Sequence, residues 1–160
     1  MTDRQAGAGL DQQAGAGLDQ RAGAGLDQQA DTELEDAART GRRFVRSLAD
    51  KDEQALVGLF AERVSFRGLT PGRFWEAQSP EQVVHDVLFQ WFEPSDVIES
   101  VEQVEPGRVA DLYRVDYRLT VRNPGGRYAV EQRAYFDVDE QGRISRMQAI
   151  CGGFRPLAQP

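Results

Sequence analysis

The stretch Val115-Asp116-Tyr117-Arg118-Leu119-Thr120-Val121-Arg122-Asn123-Pro124-Gly125-Gly126-Arg127-Tyr128-Ala129-Val130-Glu131-Gln132-Arg133-Ala134 decides the fold. Asn, Pro and two Gly between two alternating runs are a turn signal, because Pro fixes φ near −65° and Gly accepts positive φ. Setting Asn123 opposite Gly126 pairs Val121 with Tyr128, Leu119 with Val130, Tyr117 with Gln132, Val115 with Ala134 and Tyr113 with Phe136. That face is mostly apolar. The same register sets Arg118 against Glu131 and Asp116 against Arg133 on the other face, two opposite-charge pairs that it was not chosen to produce. An L-Pro-Gly turn matches strand twist less well than Asn-Gly, so a bulge near the turn is expected as an alternative.

Working outward, Val97 to Val104 reads as a preceding strand ended by Glu105-Pro106-Gly107. Ile144 to Ile150 reads as a last strand after the turn Asp139–Gly142. Upstream, Ser79-Pro80-Glu81-Gln82 is a helix start, with Ser as N-cap and Pro at the first helical position. Val84, Val87, Leu88 and Trp91 form the apolar stripe of that helix, and His85, Phe89 and Phe92 widen it. Thr32 with Glu35 makes a capping box before Leu34, Ala37, Ala38, Val45 and Leu48, and Asp50 with Glu53 restarts a shorter helix. Arg63–Arg67 alternates like a short strand, and residues 68–75 read as a loop. Helices first and antiparallel strands last is the α+β pattern.

Residues 5–28 are three near-identical copies of Gln-Ala-Gly-Ala-Gly-Leu-Asp-Gln, with Arg21 heading the third. One apolar residue per unit among glycines does not offset chain entropy, so residues 1–30 are expected to be a disordered repeat tail and residues 31–160 one domain. The net charge of −7 argues against nucleic-acid or anionic-membrane partners. No apolar run approaches the roughly 20 residues of a membrane span. A single cysteine, Cys151, excludes an internal disulfide and is compatible with a reducing compartment, so a cytoplasmic location is expected. One His, one Cys and scattered carboxylates give no metal-ligand spacing, and no cofactor is expected.

The order helix, helix, short strand, loop, helix and four strands, closing with Tyr135-Phe136-Asp137-Val138-Asp139 and Gly142-Arg143-Ile144, resembles the nuclear transport factor 2-like superfamily over about residues 33–155. Its SnoaL-like branch is the nearest match, and Phe66-Arg67-Gly68-Leu69-Thr70-Pro71-Gly72-Arg73-Phe74-Trp75 resembles a stretch in uncharacterised bacterial members. The resemblance implies a cone, a curved antiparallel sheet of cystatin-like type wrapped around N-terminal helices. It also implies an interior pocket and often a homodimer across the outer sheet face. Members include isomerases, cyclases, dehydratases, epoxide hydrolases and non-enzymatic modules, so fold does not settle activity. Steroid isomerases of this family place an Asp base near the end of the first strand. Here Arg67 and Gly68 stand there, and no carboxylate follows until Glu76.

The candidate catalytic residues are His85, which titrates near neutrality, and Tyr117. His85 also reads as a histidine at the margin of a core helix, hydrogen-bonded to backbone. Gln132, side by side with Tyr117 on the inner face, either binds a ligand or satisfies the Tyr117 hydroxyl. Tyr113 lines the same face, Arg67 would neutralise an anion at the mouth of the cone, and Trp75 with Phe74 would form a lid or a plug. The expected function is binding of a small, largely apolar molecule, with cofactor-independent isomerisation, cyclisation or dehydration as the enzymatic form. The alternative is a non-catalytic dimeric or protein-interaction module with a packed interior.

Overall fold

The computed structural model describes residues 16–158. The chain falls into two units, Met1–Glu33 and Leu34–Pro160. In the first, residues from Ala16 onward are helical, and they form the N-terminal part of α1 (Ala16–Ala49). The helix thus includes residues 16–31, ahead of the expected start, and residues 1–15 of the expected tail lie outside the described residues. Thr32 is not a cap: its hydroxyl donates to the Gln28 carbonyl four residues back at 2.9 Å, the bond a Thr makes inside a helix.

The second unit contains α2 (Glu53–Leu59), β1 (Phe60–Thr70), β2 (Arg73–Ala77), a π-helical segment Gln82–Leu88 running into a last α-turn Phe89–Trp91 (together α3), and β3 (Val97–Val109), β4 (Leu112–Asn123), β5 (Gly126–Val138) and β6 (Ile144–Pro156). Asp52, not Asp50, caps α2, accepting from the Ala55 N–H at 3.1 Å. Ser79 caps α3 as its sequence predicts: the Gln82 N–H donates to Ser79 Oγ at 3.2 Å, and Gln82 Oε1 accepts from the Gln78 N–H at 3.0 Å. The wider π-helical turn that follows, with hydrogen bonds spanning five residues, buries Val83 beside Val84, Val87 and Leu88.

The strands form one curled, unclosed sheet in the order β2-β1-β6-β5-β4-β3. The β4–β5 register is the one read from the sequence, from Asn123 opposite Gly126 to Tyr113 opposite Phe136, with no bulge at the turn. Register shifts occur instead between β3 and β4 and between β5 and β6. Three expectations are corrected. The sheet is not wholly antiparallel, because β1 lies parallel to β6. Residues 68–75 are not a loop but the tip of the β1–β2 hairpin, turning at Pro71-Gly72. Pro106-Gly107 does not end β3, which runs on to Val109; β3 is the edge of the sheet, where a Pro is tolerated.

The core lies between the concave face of the sheet and the helices. Phe44 of α1 stands edge-on to Phe60 and Tyr117, with ring centroids 6.2 and 6.1 Å apart. Two glycines allow the close approach. A Cβ at Gly41 would stand 3.2 Å from Cβ of Val115, and one at Gly68 would stand 2.5 Å from the Trp91 ring, so α1 and α3 each reach the sheet where a side chain is missing.

Candidate functional site

On the concave face, β4 presents Tyr117, β5 presents Gln132 opposite it, and β6 presents Cys151 opposite Gln132. Tyr117 is 3% exposed and Gln132 4%. Neither the Tyr117 hydroxyl nor the Oε1 or Nε2 of Gln132 has a hydrogen-bond partner. Of the two readings of this pair, the one in which Gln132 satisfies the Tyr117 hydroxyl is therefore not realised, although the two residues are paired across β4 and β5. Burial, and secondarily the Cys151 thiol, pushes the Tyr117 hydroxyl well above its ordinary value, so Tyr117 is a proton-bearing donor. Cys151 Sγ accepts the Gly153 N–H at 3.4 Å.

The other sequence candidates lie apart from this row. His85 is about half-exposed on α3, and its Nε2 is 2.9 Å from Oε1 of Glu53 at the start of α2. With Gln54, Val57 and Glu81 the pair lines a groove of about 400 Å³. Tyr113 stacks at a tilt on Phe136, centroids 5.8 Å apart, with the Arg108 guanidinium 6.0 Å from its ring. Arg67 is exposed and faces Glu76 across the β1–β2 hairpin, Nε to Oε1 3.7 Å. Trp75 donates from Nε1 to Thr70 Oγ1 at 2.9 Å, stands edge-on to Trp91, and carries the Arg73 guanidinium 3.5 Å above its ring. Phe74 points outward, 56% exposed.

The outer-face charges pair as their register predicts. Asp116 takes Arg114 at 2.8 Å and also Arg133, and Arg118 meets Glu131 at 3.3 Å. Sequence reasoning missed Glu53 as the partner of His85, because the two are brought together only by the packing of α2 on α3. It missed the Gln132–Cys151 pairing for a different reason: the β5–β6 register shifts by one between Asp137 and Val138, so counting back from the Asp139–Gly142 turn does not find it. No group of three or more His, Cys, Asp or Glu able to hold a metal occurs among the described residues. None of the described helices is long and apolar enough to cross a membrane.

No family model matches the chain, and no curated protein does. Solved structures do. The chain is similar to a Bacillus subtilis protein described as a "Putative Isomerase" (17% identity, TM-score 0.63, covering 75% of this chain and 88% of that one). It is also similar to an LEH-like epoxide hydrolase from M. tuberculosis (14% identity, TM-score 0.55, 74% and 84% covered). A Mesorhizobium loti protein of 20% identity and TM-score 0.56, described as NTF2-like and of unknown function, matches over 75% of this chain and 93% of its own. The chain has the NTF2-like fold implied by the order of its elements.

Proposed function

We propose that the chain binds a small, largely apolar molecule in the concave interior, with one polar group of that molecule held by Tyr117 and Gln132. The observation that carries this reading is that three of the five buried side-chain polar atoms without partners among the described residues, the Tyr117 hydroxyl and both amide atoms of Gln132, lie on neighbouring residues, the other two being Trp91 Nε1 and Arg114 Nε. Each such atom costs about 1–3 kcal/mol relative to a satisfied one, and Phe and Leu would fill the same space without that cost. A ligand carbonyl, hydroxyl or epoxide oxygen accepting from the Tyr117 hydroxyl and the Gln132 amide would remove it. Catalysis, in this reading, is cofactor-independent isomerisation, cyclisation or dehydration with Tyr117 as electrophilic donor to a developing oxyanion; His85, paired with Glu53 in a separate, half-exposed groove, takes no part in it. The names of the similar proteins, an isomerase and an epoxide hydrolase, agree with small-molecule conversion on this fold. The setting we propose is cytoplasmic, with no nucleic-acid or membrane partner, in keeping with the acidic chain and its buried free cysteine.

Native mass spectrometry of the purified chain tests this. A bound small molecule is expected that Tyr117→Phe and Gln132→Leu each release while circular dichroism stays unchanged. A mass equal to the bare chain, together with no binding across a panel of small ketones and epoxides, would remove the reading. Should a screen find turnover, Tyr117→Phe leaving it intact would take Tyr117 out of the mechanism.

A second reading, a non-catalytic homodimer, is favoured by a different observation. Leu69 faces Phe74 on one side and Ile150 on the other across β2, β1 and β6. All three project outward, 49%, 56% and 49% exposed. An apolar row of this kind on a sheet face is what a second copy would cover. Light scattering should give twice the chain mass, and Leu69→Glu should halve it; a wild-type chain that is monomeric at high concentration excludes this dimer.

A further inference from the structure

The groove between α1 and β3 belongs to neither reading. It is about 520 Å³, within the range of small-molecule sites, and it is lined by Arg42, Val45, Arg46 and Asp50 from the helix side and Ile98, Val101 and Val104 from the strand. Its floor is apolar because β3 is the sheet edge. Ile98, Val101 and Val104 pair with Val121, Leu119 and Tyr117, so they continue the inner face one strand beyond the part that α1 covers. Val101 is left 36% exposed.

One wall carries Arg42 and Arg46, four residues apart and hence on one side of the helix. Both are exposed, and neither has an ion-pair partner among the described residues. Of the two carboxylates in the lining, Glu99 is already held by Arg122 at 2.7 Å and Arg127 at 3.1 Å, and Asp50 forms no ion pair with Arg46 among the described residues. Like charges at this spacing repel, and in a chain of net charge −7 this turn of helix is locally basic, with Arg42, Arg43 and Arg46 within five residues; Arg39, a turn earlier, is paired with Asp36. Asp50 lies a turn beyond Arg46, so an anion is favoured between Arg42 and Arg46.

We infer that this groove binds an amphipathic carboxylate: its head group bridges Arg42 and Arg46, and its alkyl chain lies on Val45, Ile98, Val101 and Val104. The guanidinium fork suits a carboxylate, with charge-assisted bonds that a neutral head group does not form. The interaction stands independently of Tyr117 and Gln132.

Calorimetric titration of the full chain with decanoate tests it. One decanoate per chain is expected, with saturation below about 1 mM. Arg42→Gln with Arg46→Gln should weaken binding at least about tenfold, and 1-decanol should bind at least about tenfold more weakly than decanoate. Arg43→Gln, exposed on the same helix but outside the groove, should change affinity by less than about twofold. Absence of saturable decanoate binding overturns the proposal. So does an Arg43→Gln effect as large as that of the double variant, or decanol binding as tightly as decanoate. All three arginines are exposed, so folding is not at stake in these variants, and circular dichroism of each checks that it is retained.

Discussion

Two buried polar clusters in this protein are built in opposite ways. At the junction of three loops, Asp96 is 7% exposed. Its Oδ2 accepts the Glu93 N–H at 2.9 Å and its Oδ1 accepts Nδ2 of Asn123 at 2.9 Å. Lys51, at positive φ in the α1–α2 turn, donates from Nζ to the carbonyls of Glu93 and Asp96 at 2.6 and 2.5 Å. The only lysine in the chain thereby ties the end of α1 to the α3–β3 loop, and Asn123 ties the same loop to the β4–β5 turn. In the interior, by contrast, Tyr117 and Gln132 are more deeply buried and make no side-chain bond at all. Where a polar cluster holds the fold together, its atoms are satisfied from within; the interior pair contributes nothing of that kind.

Breaking the satisfied cluster should cost most. Asp96→Ala strands the Glu93 N–H and the Asn123 amide, and a loss of about 3 kcal/mol is expected, lowering Tm by about 6–12 °C at this chain length. Urea unfolding with an unchanged m-value checks it; a loss under about 1 kcal/mol would mean that water replaces the carboxylate. Lys51→Met should cost about 2 kcal/mol. It also carries a pH signature. Burial lowers the Lys51 pKa below its ordinary 10.5, only partly countered by the charge of Asp96. The unfolded chain therefore holds that proton to higher pH than the folded one, so the Lys51 contribution to stability rises as pH increases toward 10.5. The stability difference between wild type and Lys51→Met should widen over that interval; a constant or narrowing difference would contradict the cause.

The same contrast explains what was legible in the sequence. The β4–β5 hairpin was readable to the residue because its turn fixes register locally and period-2 alternation does the rest. The interior pair followed from that register alone. The Lys51–Asp96–Asn123 junction was not readable, since it joins three segments through backbone carbonyls that no side-chain pattern advertises. Residues 68–75 misled for a related reason: Pro71-Gly72 marks a turn, but Gly68 was counted with it, when its missing side chain serves Trp91 instead. The π-helical periodicity of α3 left no trace in a stripe that fits an α-helix nearly as well.

Breaking the unsatisfied cluster should cost little or have the opposite sign. Tyr117→Phe removes a hydroxyl that bonds nothing, and Gln132→Leu removes an amide in the same state. Each should leave the ligand-free chain between unchanged and about 1 kcal/mol more stable, as read from chemical denaturation. A loss above about 1 kcal/mol in either variant would show that these atoms find partners within the chain, and the interior would then resemble the Asp96 junction after all.

The smallest effect is expected on the outer face, at Arg118 and Glu131. They meet at 3.3 Å but are 44% and 63% exposed, so water and salt screen both charges, and a double-mutant cycle to alanine should give a coupling below about 0.5 kcal/mol. That coupling should shrink further as ionic strength rises from 0.05 to about 0.5 M, where screening acts within a few ångströms. The value matters because it reports on what covers this face. If two copies pack sheet to sheet and exclude water from the pair, the coupling should exceed about 1 kcal/mol, resist salt, and fall as the protein is diluted below its dimerisation constant. A weak, salt-sensitive and concentration-independent coupling means instead that the charged rows stay solvated, which confines any dimer contact to the apolar row of Phe74, Leu69 and Ile150.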